Sequence, residues 1–88
     1  MGIEWADSAA KHGIPSEDVL YVMCNPEAQI EQGAGKFPGE VVVLYIGHPH
    51  SQTERYVEVV ALLNRRRGSI RIFHAMPLRD MNRHHLEG

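Results

Sequence analysis

Hydrophobic and polar positions follow two different rhythms along this chain, and the change between them falls near residue 30. In the first third the apolar residues recur at helical spacing. The stretch IEWADSAAKHG predicts a short helix with Trp5, Ala9 and Ala10 toward the core and Gly13 as its left-handed terminator. IPSEDVLYVMCNP predicts a second: Pro15 and Ser16 suit a first turn, Glu17 and Asp18 complement the positive end of the dipole, and Asn25-Pro26 stops it. Val19, Leu20 and Met23 form its apolar stripe. Beyond residue 30 the period shortens. A short strand is expected over Ala28 to Ile30, then a glycine-rich turn over residues 31–40, then EVVVLYIG as a strand buried on both faces. HPHSQTER reads as a loop. In YVEVVALLN, Val57, Val59, Ala61 and Leu63 share one side, RRRG makes a turn, and SIRIFHAM is the last strand.

Loops this short between the last three strands imply an antiparallel meander. The expected class is α+β: one domain over residues 1–88, with two N-terminal helices packed on a three- to four-stranded antiparallel sheet and a short C-terminal helix or tail. Eighty-eight residues leave no room for a second core. No apolar run approaches the roughly 18 residues needed to cross a bilayer. Glu4 and Asp7 stand where a signal peptide would be basic and then apolar. Cys24 is the single cysteine, which rules out an internal disulfide, suits a reducing cytoplasm, and reads best as a small buried apolar residue.

The net charge of −2 conceals an asymmetry. Residues 1–53 carry Lys11 and Lys36 against seven acids, a balance of −5; residues 54–88 carry seven arginines against four acids, a balance of +3. The chain as a whole is no generic polyanion binder, although its second half can present a basic face.

Chemistry concentrates where the last strand ends. Strict alternation puts Ile70, Ile72, His74 and Met76 on one face and Ser69, Arg71, Phe73 and Ala75 on the other, so His74 would extend the core row to the rim of the sheet. An imidazole there suits proton transfer, or a simple hydrogen bond to a neighbouring carbonyl. Arg71 and Arg79 bracket it, as phosphodiester cleavage would require for the charge that builds on the non-bridging oxygens. Glu58 lies opposite Val57 and Val59, available as a base or as a cross-sheet partner of Arg71. Lys11 and His12 close the first helix or line a cleft, and Arg65, Arg66 and Arg67 form either a phosphate-binding turn or a solvated tip. HPH at 48–50 and HH at 84–85 complete no zinc pattern, and no cofactor motif is present.

The segments KHGIPSEDVLYVMCNP, YIG, VEVVALL and IRIFHAMPLR together resemble small bacterial toxins of the BrnT-like group, similar to the wider RelE-type toxins of type II toxin–antitoxin systems. Lys11, His12 and Gly13 match the family's helix motif, Gly47 the glycine closing a central strand, and Arg71 the last-strand arginine. The resemblance implies a metal-independent endoribonuclease that inhibits translation. It also implies RNA and a cognate antitoxin protein as partners, with no membrane. On that reading His74 or Glu58 is the base, His12 the acid, Arg71 and Arg79 stabilise charge, and Lys11 with Arg65–Arg67 binds substrate. The competing reading is a non-catalytic toxin-like scaffold that binds a protein or RNA.

Overall fold

The computed structural model describes residues 2–87. Five strands form a single sheet, β1 (Gly2–Trp5), β2 (Ala28–Ala34), β3 (Glu40–Gly47), β4 (Val57–Asn64) and β5 (Ser69–Pro77), in the spatial order β1-β5-β4-β3-β2. The one α-helix among the described residues, α1, spans Ser16–Cys24, and 3₁₀ segments cover Asp7–Ala10 and Asp80–Leu86. Four strands run as an antiparallel meander, while β1 pairs parallel to β5 and makes the sheet mixed.

The expected pair of N-terminal helices on a three- to four-stranded antiparallel sheet is therefore incorrect. Ile3 and Trp5 alternate with Gly2 and Glu4, and this segment pairs with Ser69 to Ile72, satisfying the outer edge of β5. An unpaired edge leaves a row of backbone groups to solvent, and four residues of strand cover it more effectively than an isolated short helix would. Only Asp7–Ala10 retains helical character, and Gly13 does adopt the left-handed conformation, with φ 70°. The second helix forms as expected between Pro15 and Asn25. It buries Val19 and Val22, with Leu20 and Met23 packed at the margin, and leaves Cys24 exposed rather than buried.

Helix α1 lies on one face of the sheet, against Val43, Tyr45, Val57, Val59, Ala61, Ile72 and Ala75. Gly47 is required where the end of β3 meets the end of α1, since a Cβ there would sit 3.2 Å from the Asn25 carbonyl. The first part of the glycine-rich stretch after Ile30 is strand, since β2 continues to Ala34 with a bulge between Glu31 and Gly33, and the turn is confined to residues 35–39. Leu44 and Ile46 are fully buried on the opposite face, as a strand apolar on both sides should be. The C-terminal segment Asp80–Leu86 returns to that second face.

Candidate active site

A β-bulge decides where the chemistry lies. Ile72 pairs with Ala61 and His74 with Val60, so Phe73 is an extra residue on β5 with no counterpart on β4. Alternation restarts after it. Ala75, not His74, continues the row of Ile70 and Ile72 toward α1, and His74 and Met76 turn to the other face beside Val60 and Glu58. The expectation that His74 shares a face with Ile70 and Ile72 is thus corrected by one inserted residue.

On this face Glu58 is fully buried and saturated with donors. His74 Nε2 lies 2.8 Å from Oε2. Arg79 donates its backbone N–H to Oε1 at 2.8 Å, its Nε to Oε2 at 2.9 Å and its Nη2 to Oε2 at 2.7 Å. Asn82 Nδ2 donates to Oε1 at 3.1 Å. Burial pushes the Glu58 carboxyl up, but the bonds from Arg79, Asn82 and His74 outweigh it and hold the group below its ordinary value. The same carboxylate raises Arg79. Glu58 is therefore an ionised anchor with its lone pairs occupied, which removes it from the role of base. Among the described residues no buried side-chain nitrogen or oxygen lacks a partner.

The bulge also brings in the second imidazole. The Ser8 hydroxyl donates to the Phe73 carbonyl at 2.6 Å, and the Ala6 N–H donates to the Ile72 carbonyl at 2.9 Å. These bonds tie Asp7–Ala10 along the free edge of β5. The Lys11-His12 segment that follows is carried to His74: the two rings are 6.4 Å apart between centroids, at 67°. With Nε2 of His74 facing a carboxylate, the neutral ring keeps its proton there and presents an unprotonated Nδ1. His74 retains 23% side-chain exposure, enough to meet a substrate.

The remaining candidates separate. Arg71 pairs with Leu62, four residues along β4 from Glu58, or about 13 Å at strand rise, and its guanidinium approaches Glu4 at 3.9 Å. The anticipated Glu58–Arg71 pair is not formed; Met76 is the cross-strand partner of Glu58. Lys11 is exposed beside His12. Arg65 bridges to Glu31, whereas Arg66 and Arg67 line a hollow at the far end of the sheet. His48 stacks on Tyr56 at 4.3 Å with Nδ1 near the Arg55 carbonyl, and His50 accepts from the Gln52 N–H, so the HPH motif braces its own loop. His84 and His85 stack on each other. No cluster of three or more His, Cys, Asp or Glu among the described residues is placed to share a metal ion. No helix among them is long and apolar enough to cross a membrane.

Asn82 is the functional neighbour that sequence reasoning missed. An amide in a polar C-terminal segment carries no signal of its own; only the return of that segment over Glu58 gives it a role. Comparisons of the chain with protein-family models, with curated proteins and with solved structures find no match.

Proposed function

We propose that this protein is a metal-independent endoribonuclease whose proton transfers are carried by His74 and His12. The observation that carries this reading is a pair of imidazoles 6.4 Å apart, one of them oriented by a buried, ionised carboxylate. His74 Nδ1 takes the proton of a ribose 2′-hydroxyl, whose oxygen attacks the adjacent phosphorus. His12 gives a proton to the departing 5′-oxygen, leaving a 2′,3′-cyclic phosphate and a free 5′-hydroxyl. Glu58 holds the His74 ring in place through Nε2. Arg79, 42% exposed on the outer side of Glu58, and Lys11 beside His12 supply positive charge for the phosphorane oxygens. In a bacterial cell such an enzyme would inhibit translation and need a cognate antitoxin.

The test is direct. Expression of the wild-type chain should arrest growth, and purified protein should cut a transcript in the presence of EDTA to give cyclic-phosphate ends. His74→Ala should lower the cleavage rate by about 10²- to 10⁴-fold in a protein that still folds, its melting temperature reduced by the loss of one donor to Glu58. A wild-type protein inert in both assays ends the proposal. It would leave Glu58, His74, Arg79 and Asn82 as a clasp for the C-terminal segment of a partner-binding scaffold, a reading favoured by the five donor atoms converging on Glu58.

A further inference from the structure

The face that carries His74 continues to the opposite end of the sheet, where the β2–β3 loop and the β4–β5 turn enclose a hollow. Two adjoining cavities of about 580 and 330 Å³ share Phe37, Glu40, Asn64 and Arg67. Their walls carry four cations, Lys36, Arg66, Arg67 and Arg71, against two carboxylates. Both carboxylates are engaged: Glu40 accepts the Phe37 N–H at 2.8 Å and Glu4 stands 3.9 Å from Arg71. The loop is folded over the sheet, because Gly35 packs so closely on Glu40 and Leu62 that a Cβ would come within 2.5 and 2.9 Å of them. That packing presents Phe37 with 61% of its surface exposed and the Lys36 ammonium 5.8 Å from its ring.

An exposed aromatic ring among guanidiniums is costly to display in water and serves no core. It is the combination that binds single-stranded nucleic acid, where a base stacks on the ring and the backbone phosphates meet the cations. A mononucleotide or a free phosphate would use only part of it. Between this hollow and His74 the floor is half-buried Leu62 and Val60. From Asn64 to Val60 is four residues of strand, about 13 Å, which an extended oligonucleotide spans in a few nucleotides.

We infer that the Phe37–Arg67–Arg71 hollow is a subsite for single-stranded RNA that seats the chain a few nucleotides away from the His74 end. The inference rests on the ribonuclease reading for the direction of the strand, but binding and cleavage are measured separately. The subsite sets the minimum substrate length: a dinucleotide cannot reach both ends of the face. It also assigns the basic β4–β5 turn a role, through Arg66 and Arg67, while Arg65 remains tied to Glu31.

The experiment is fluorescence anisotropy with a 2′-O-methyl oligoribonucleotide, which cannot be cleaved by this route, titrated over a range of salt. Phe37→Ala should weaken binding about 5- to 150-fold, the range for loss of one stacked base. R67A/R71A should weaken it and flatten the slope of log K against log salt by about 1.4, since each phosphate contact on a single strand contributes roughly 0.7. Glu17→Gln, in the first turn of α1 on the opposite face of the sheet, should bind as the wild type does. Retention of full affinity by both hollow variants overturns the subsite, as does equal displacement of the oligonucleotide by polyglutamate or by a mononucleotide. Binding that depends on these residues in a protein that cuts no RNA keeps the subsite and refutes the nuclease.

Discussion

Glu58 illustrates how much one side chain can be asked to do. A fully buried glutamate in an apolar strand is tolerable only if every carboxylate lone pair that loses water gains a donor, and His74, Arg79 and Asn82 provide them. Its pKa lies below the ordinary value of 4.5 in the folded protein, so the unfolded chain binds the proton more tightly. The contribution of Glu58 to stability is therefore present above about pH 4.5 and is lost as pH falls through the lower folded value. Glu58→Gln should remove that acid dependence from a series of urea melts between pH 3 and 7, at a cost of roughly 2 kcal/mol near neutrality. That figure reflects a half-exposed Arg79 that can rehydrate when its partner is neutral. An unchanged acid limb would show that the carboxylate is not buried in solution. The residue types that matter here, Glu58, His74, Arg79 and His12, are all conspicuous in the primary chain, because ionisable groups within or beside β-rich runs have few bland explanations. Their partners are not conspicuous: Arg71 shares the strand of His74 yet pairs with Glu4, and Asn82 looks like any tail amide.

Strand β5 shows why alternation misplaces a functional group. Period-two reasoning holds from Ser69 to Ile72 and again from His74 to Pro77, but one uncounted residue between them inverts the second half. Nothing in IRIFHAM announces the bulge, since Phe73 is an ordinary strand residue and no glycine marks it. Deleting Phe73 should therefore be mild: the ladder becomes continuous, His74 stays opposite Val60, and the melt shifts by about 1–2 kcal/mol, mainly from the lost Ser8 bond and Phe73 packing. The Glu58 acid limb should survive in that variant; its disappearance would contradict the register. The N-terminal segment misleads for a different reason. WADSAAK has good helix formers, yet the pairing available along β5 outweighs a propensity that amounts to tenths of a kcal/mol per residue.

The assembled molecule is lopsided. Helix α1 seals one face of the sheet, whereas the other is covered only by the C-terminal 3₁₀ segment and the β2–β3 loop, leaving the strip from His74 to Arg71 open. Stability should follow that arrangement. Native-state hydrogen exchange should find the slowest amides in β3 and β4, which are paired on both sides and contribute most of the buried side chains, and faster exchange in the edge strands β1 and β2. Protection of β1 equal to that of β4 would contradict the edge assignment. The basic character of the second half of the chain becomes meaningful only in this arrangement, because Lys36 from the acidic half joins Arg66, Arg67 and Arg71 at one end of a single face.

Local pattern was sufficient for the helix between Pro15 and Asn25, for β3, β4 and β5 as an antiparallel run, and for the identity of the ionisable residues worth following. Each depends on neighbours within a few positions. Long-range contact settled the rest. Pairing across more than sixty positions turned residues 3–5 from helix to strand, an extra residue turned His74 from the core row to the open face, and the returning tail turned Glu58 from a candidate base or partner of Arg71 into a buried anchor. The physical reason is common to all three: a backbone edge, a pleat and a buried charge are each satisfied by whichever partner the fold brings near, and chain order does not name that partner.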